Sequence, residues 1–401
     1  MAKIGILGGT FDPVHIGHIE CALMAREQFS LSKILFLPSG NPPHRFANRV
    51  TPALTRAKLA ELGIKGIDGL EVSYVEVEKT GYTYTSDTLA EMKAMCPGDE
   101  LFFIIGVDAA ARVKEWKDAE KLKDYCTFIL VGRADTHPIV YMNAKEALAA
   151  IGASFEVLKK PITPVSSTEL RAAFRDGKEL RDGLIPQDEA RYIIENEIYI
   201  DKPMSPEQIT EDLRSVLPTK RFVHSLGVSK EAVRLAEKFG ADKEKAKLAG
   251  LLHDCAKGVT VDQLRWADMR MEDFSDDPAA GFSYRVLHGP LGAKVAKSRY
   301  GVTDEEVLSA ISKHTTGGRD MSLLDQIIFI ADYTEENRSG GFFEKVRDLV
   351  ETEGLLPAIA FSCDETIKTI LSRGEPIDVR TVYTRNMALA RAVPDKVISN
   401  K

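Results

Sequence analysis

Residues 3–25 read KIGILGGTFDPVHIGHIECALMA. The run Lys3-Ile4-Gly5-Ile6-Leu7 has the apolar character of a short buried strand, and the segment from Ile16 onward has helical period. Between them stand two glycines, a threonine, an aspartate and two histidines three residues apart. Strand, glycine turn and helix open a parallel α/β unit, with His15 and His18 in the first helical turn. These residue types are poor core material and good phosphate chemistry. Gly8 and Gly9 allow close backbone approach, and the helix start offers unpaired N–H groups and the positive end of its dipole. His15 and His18 share one face. The pattern is neither a Walker A loop nor a GxGxxG fingerprint, and a glycine turn with incidental histidines is the competing reading.

The same rhythm runs on to about residue 160. KILFLPS, LEVSYVEV, LFFIIG and TFILVG alternate with helical-period segments such as SDTLAEMKAM, which predicts an α/β doubly wound parallel sheet of Rossmann type. Ligands in such sheets bind at the carboxyl ends of the strands, where GGTFDPVH lies. After DEARYIIENEIYIDKPMSPEQI the strand signals stop, and 206–372 reads as helix broken by Gly and Pro. The expected domains are 1–200 (α/β) and 207–375 (all-α), joined by a linker over 201–206 that ends in the helix start Ser205-Pro206-Glu207. The tail, 376–401, carries no readable motif.

Composition narrows the classes. The 401 residues carry 44% hydrophobic and 28% charged content with a net charge of -7 spread along the chain. No basic stripe points to nucleic acid, and no apolar run is long enough to span a bilayer. Five cysteines, at 21, 96, 126, 255 and 363, have no close pairing and argue against a disulfide framework. With no secretory leader visible, a cytoplasmic protein is expected. A homo-oligomer is left open.

A second segment, PVSSTELRAAF at 164–174, strengthens the phosphate reading. Ser166 and Glu169 have capping-box spacing, so a helix starts there. Capping leaves Ser167, Thr168 and Arg171 unexplained, and a cation in a first turn opposes the helix dipole unless an anion binds nearby. GGTFDPVHIGH, with its HxGH, and SSTELR resemble the nucleotidyltransferase superfamily. LPSGNPPHR at 37–45, GYTYTSDTL at 81–89 and the run from Phe102 to Arg133 narrow the resemblance to the nicotinate-nucleotide adenylyltransferases, over essentially all of 1–195.

The resemblance implies transfer of AMP from ATP, with Mg²⁺, to nicotinate mononucleotide, releasing pyrophosphate. Catalysis there is positioning plus charge stabilisation, without a covalent intermediate. It implies that His15 and His18 contact the ATP phosphates, and that Gly8, Gly9, Thr10 and Phe11 shape the nucleotide loop. By the same resemblance Ser167, Thr168 and Arg171 hold the polyphosphate, with His44 and Arg45 as further contacts. Trp116 would stack on the pyridine ring, with Thr85 and Asp108 also at the mononucleotide. Nicotinamide mononucleotide is the alternative substrate. His137 reads as a loop residue.

Four of the eight histidines lie in the all-α half: His224, His253, His288 and His314, joined by Asp254 and Asp332. Each sits near the end of an apolar helical run, where ligands could converge. The set resembles the HD superfamily of metal-dependent phosphohydrolases. The resemblance implies that His224, His253, Asp254 and Asp332 hold one metal, with Asp254 bridging to a second held by His288 and His314. Mixed imidazole and carboxylate ligands suit Fe, Mn, Co or Zn. HSLGVS, AGLLHDCAKG, LHGPLGA and HTTGGRDMSLLDQIIFIADYTEENR resemble the symmetrical diadenosine tetraphosphatases of the HD type, which implies a di-iron centre that cuts diadenosine tetraphosphate into two ADP. Lys257, Arg319 and Arg338 are the cations expected on the polyphosphate, with Lys257 at the reaction centre. The alternative is a nucleotide-sensing module without turnover, which loss of a ligand would mark.

Overall fold

The computed structural model describes residues 1–178, 180–181, 183–200, 204–266 and 286–392, apart from the side chain of His44. It divides into two compact units, Met1–Pro43 with Val50–Lys202, and His44–Arg49 with Pro203–Lys401. The linker expected over 201–206 begins in residues 201–203, outside the described set, as do residues 393–401 of the tail.

The first unit is built on β1 (Lys3–Gly9), β2 (Lys33–Pro38), β3 (Leu70–Val72), β4 (Glu100–Gly106), β5 (Thr127–Val131) and β6 (Phe155–Val157). All pair in parallel in the order β3-β2-β1-β4-β5-β6, the doubly wound order, whose switch point lies between β1 and β4. Its helices are α1 (Ile16–Phe29), α2 (Ala53–Gly63), α3 (Thr85–Met95), α4 (Val107–Ala110), α5 (Pro138–Ala150), α6 (Ser167–Arg175) and α7 (Gln187–Glu195).

Both faces of the sheet are covered, so alternate residues of one strand enter different cores. Ile4, Ile6, Phe103, Ile105, Phe128 and Leu130 pack with Leu89 and Met92 of α3 and Leu148 of α5. Leu7, Ile34, Phe36, Ile104 and Ile129 pack on the other face with Ile19, Ala22 and Ala25 of α1 and Ala60 of α2. LEVSYVEV departs from its expected strand after Val72. Its Glu76 turns inward, buried, accepting hydrogen bonds from the Gly40 N–H at 3.1 Å and the Thr88 hydroxyl at 2.8 Å.

The described part of the second unit is helical: α8 (Pro206–Val216), α9 (Thr219–Phe239), α10 (Lys243–Leu252), α11 (Val261–Trp266), α12 (His288–Ser298), α13 (Glu305–Lys313), α14 (Leu323–Thr334), α15 (Gly341–Thr352), α16 (Leu355–Ser372) and α17 (Val379–Ala392). Local sequence sets the starts. Ser205 accepts from the Gln208 N–H with Pro206 in the first turn, and Asp242 and Asp304 cap α10 and α13. Ser322 and Asp325 exchange hydrogen bonds at the start of α14. α9 packs on α10 and α14, and α13 on α10, α12 and α14. The segment read as a featureless tail instead folds as α17 against α16. No described helix is long and apolar enough to cross a membrane.

Candidate active sites

At the carboxyl end of β1 the loop 8–15 delivers His15 as the N-cap of α1 and His18 one turn in. The two imidazoles stack with centroids 3.7 Å apart, and Phe11, in the left-handed region at φ 50°, meets His18 edge-on at 5.1 Å. The His15 N–H donates to His18 Nδ1 at 3.3 Å, so the proton of a neutral His18 ring sits on Nε2. Burial, aided by the charge of Arg133, lowers His15 to about 4. Burial, with His15 and then Arg133, also takes His18 well below its ordinary value. Both rings are therefore neutral at pH 7. Gly17 of the HxGH has no room for a side chain, since an added Cβ would lie 2.9 Å from the Thr163 carbonyl and 3.3 Å from the His15 ring.

α6 brings its first turn to the same loop. Arg171 donates to the Asp12 carbonyl at 2.7 Å and to Thr168 Oγ1 at 3.2 Å, and the Ser167 hydroxyl lies 3.4 Å from the Pro13 carbonyl. The cation that capping left unexplained thus ties α6 to the loop. Of the capping pair, Ser166 accepts from the Glu169 N–H.

Several residues that sequence reading missed brace this loop. Arg56 is 1% exposed and donates to the carbonyls of Thr10 at 2.7 Å, Ser39 at 2.6 Å, Gly40 at 2.8 Å and Thr51 at 2.7 Å, joining the loops after β1 and β2. Asp12 accepts from the Tyr199 hydroxyl at 2.9 Å, and buried Glu189 from the Val14 N–H at 2.9 Å. Burial raises the Glu189 carboxyl well above its ordinary value. Arg133, at the carboxyl end of β5, is the missed cation nearest in effect to both histidines. An arginine directly after a strand run, as in TFILVGR, was the available signal.

The other expected residues divide. Gly8, Gly9 and Thr10 lie in or just after the end of β1, Thr85 opens α3, and Asp108 is exposed in α4, after β4. Trp116 ends a short turn of 3-10 helix rather than sitting in a helix, half-buried against the core of one sheet face. His44 and Arg45 lie in a 3-10 turn grouped with the second unit, and the His44 side chain is outside the described set. His137, expected in a loop, caps α5 by accepting from the Ile139 N–H at 3.2 Å.

In the second unit the six candidate ligands converge. His224 comes from α9, His253 and Asp254 from the end of α10, His288 from the start of α12, His314 from the end of α13 and Asp332 from α14. His253 and His314 each place Nδ1 2.7 Å from a backbone carbonyl, of Gly250 and Ile311, and His224 places Nδ1 3.1 Å from Glu335 Oε1. His253 and His314 thereby turn Nε2 to the cluster, as metal-binding histidines do. His224 faces a carboxylate with each nitrogen, its Nε2 lying 2.9 Å from Asp332 Oδ1, and although burial works against it the two carboxylates raise its pKa above the ordinary value. Nε2 of His288 and of His314 lie 3.1 Å apart, and 3.3 and 3.4 Å from Asp254 Oδ1. Thr315 Oγ1 touches both nitrogens.

The donor set fits a pair of divalent ions. Nε2 of His253 is buried without a hydrogen-bond partner, and two overlapping groups, His224–His253–Asp332 and His253–Asp254–His314, have converging ligand atoms. Burial lowers His253 to about 4, leaving a neutral nitrogen ligand. Burial works against charge on Asp332, but His224, His253 and Arg338 hold its carboxyl far below the ordinary value. Glu335, 1% exposed, anchors the candidate ligand His224 and is a residue that sequence reading missed, although it stands three positions past Asp332.

The cations are engaged with ligands. Lys257 Nζ lies 3.0 Å from Asp254 Oδ2, and Arg338 Nη2 lies 2.7 Å from Asp332 Oδ1. Arg319 is exposed and stacks on Tyr383 of α17. A cavity of about 380 Å³ opens beside the cluster, lined by Lys257, Val259, Leu287, His288 and Leu291 among others.

Fold and sites together define a nucleotidyltransferase of the α/β type followed by an HD metal centre. The cytidylyltransferase-like family matches residues 6–173 and the HD domain family residues 221–337. A probable nicotinate-nucleotide adenylyltransferase/Ap4A hydrolase of Mycoplasma genitalium is 30% identical over 339 residues, 84% of this chain and 88% of its own. A probable nicotinate-nucleotide adenylyltransferase of Desulfitobacterium hafniense (strain Y51) is 35% identical over 198 residues, 49% of this chain and 95% of its own. A crystal structure described as a predicted HD superfamily hydrolase involved in NAD metabolism, from Clostridium acetobutylicum, is 35% identical, with TM-score 0.41, over 47% of this chain and 100% of its own. The chain belongs to the nicotinate-nucleotide adenylyltransferase family, in the form that carries an HD domain on the same polypeptide.

Proposed function

We propose that the chain is a bifunctional enzyme. Its first unit transfers AMP from Mg²⁺-bound ATP to nicotinate mononucleotide, and its second hydrolyses diadenosine tetraphosphate to two ADP. In the first reaction the mononucleotide phosphate attacks the α-phosphorus in line and pyrophosphate leaves. His18 Nε2–H and His15 donate to the phosphates as charge shifts to the leaving group, while Arg171 fixes the polyphosphate against the α6 first turn. The observation that carries this reading is the stacked, neutral histidine pair at the mouth of β1, braced by buried groups. Trp116, Thr85 and Asp108 remain the residues proposed at the mononucleotide.

For the second reaction, the supporting observation is that six candidate ligands from five helices converge, with His253 and His314 turning Nε2 inward from rings anchored on backbone carbonyls. A metal pair, for which iron is proposed, supplies Lewis acidity toward phosphate and the attacking water. His224, His253, Asp254 and Asp332 would hold one ion and Asp254, His288 and His314 the other, and Lys257 and Arg338 would exchange their carboxylate partners for phosphate oxygens as substrate enters. The sensing alternative has against it a ligand set with every member present.

Two assays test the proposal. Purified chain given ATP with either nicotinate or nicotinamide mononucleotide should form a dinucleotide faster with the acid. Given diadenosine tetraphosphate and a divalent transition metal, it should release ADP alone. Binding without ADP release favours the sensor; preference for the amide overturns the first assignment.

A further inference from the structure

The HD family match ends at residue 337, and α17 begins at Val379. Yet α17 reaches back to the loop that follows His314. The Thr384 hydroxyl, fully buried, lies 2.9 Å from the Thr316 carbonyl and 3.4 Å from that of Gly318. Between them Gly317 adopts φ 67°, and a Cβ there would fall 2.1 Å from Thr384 Oγ1. One residue earlier on α17, the Tyr383 ring lies under the Arg319 guanidinium, 3.5 Å from centroid to carbon. Arg385 pairs with Asp364 of α16 at 2.6 Å, and Arg391 donates to the Met321 carbonyl at 3.4 Å, so the helix is tied down on two sides.

We infer that α17 is a working part of the metal centre: Thr384 and Tyr383 fix the loop from His314 to Arg319, setting His314 at the cluster and presenting Arg319 to a substrate's phosphate chain. This rests on the hydrolytic reading above. A ring against one face of a guanidinium orients the plane while leaving its N–H edges open for a bidentate phosphate contact. Thr384 acts on the backbone, and a shift there moves the carbonyls flanking Gly317, two to four residues from His314. Both are positioning residues.

The test uses the full chain loaded with Mn²⁺. Tyr383→Leu should raise KM for diadenosine tetraphosphate about tenfold with kcat within about twofold, and Tyr383→Phe, which keeps the ring, should restore it. In an Arg319→Ala background Tyr383→Leu should add nothing, because it acts through that guanidinium. Thr384→Val should lower bound metal per chain, and Thr384→Ser should retain it. Wild-type KM in Tyr383→Leu, full additivity with Arg319→Ala, or equal loss in the Leu and Phe variants overturns the inference. If the wild-type chain hydrolyses nothing, the hydrolytic reading fails separately. Calorimetric affinity for inorganic tripolyphosphate then decides: weakened about tenfold by Tyr383→Leu supports the positioning role, and unchanged affinity refutes it.

Discussion

The neutral His18 ring is a donor because its Nδ1 is occupied by the His15 N–H, which leaves the Nε2 proton for phosphate. His18→Ala should therefore cut kcat/KM for dinucleotide synthesis by about a thousandfold, as loss of a preorganised donor does. Arg171→Lys should cost about tenfold in ATP use, since a point charge replaces a planar fork whose two prongs hold separate partners; steady-state kinetics in ATP check this. Burial lowers His15 from 6.5 to about 4, which fixes the sign of a stability effect. Below pH 6.5 the unfolded chain takes up a proton that the folded chain refuses, so stability falls as pH drops from about 6.5 toward 4. Between pH 7 and pH 5 this amounts to about 2 kcal/mol, which His15→Gln should remove in urea unfolding followed through the first unit. Chemistry-bearing residue types were legible at these positions, because histidines at a strand-to-helix turn have few other uses. Arg56 and Glu189 were not legible, since a charged residue inside an amphipathic segment reads as a solvated face until tertiary packing encloses it.

At the scale of elements, the sheet was readable because strands buried on both faces form near-continuous apolar runs. β6 was not, being a three-residue edge strand with Glu156 at its centre. α17 escaped for a different reason. Its buried positions are Thr381, Thr384 and Ala388, helically spaced but too small and polar to raise a hydrophobic period. Arg56 ties the loops after β1 and β2, so Arg56→Met should destabilise the first unit by about 3 kcal/mol or more, measured by chemical denaturation, through carbonyls left without donors. Of the metal site, the six ligand candidates were legible through the resemblance of their motifs to the HD superfamily. Glu335, which orients His224, lies in a charged run where its burial has no sequence signature.

At the scale of the molecule, the His15–His18 pair lies in the first compact unit and the six candidate metal ligands in the second. Asp254→Ala should lower the content of both metals, because its carboxylate lies near His288 and His314 on one side and His253 on the other. His314→Ala should lose chiefly one, leaving the group of His224, His253 and Asp332. Equal partial loss in both, by metal analysis, would contradict the bridging assignment. On the proposed function one chain carries two independent phosphate chemistries. The most direct measurement is product analysis of wild type, His18→Ala and Asp254→Ala, each incubated with ATP plus nicotinate mononucleotide and separately with diadenosine tetraphosphate. Wild type should yield both products, His18→Ala only ADP and Asp254→Ala only the dinucleotide. Loss of both activities in either variant with its fold intact, or ADP release undiminished in Asp254→Ala, would contradict it.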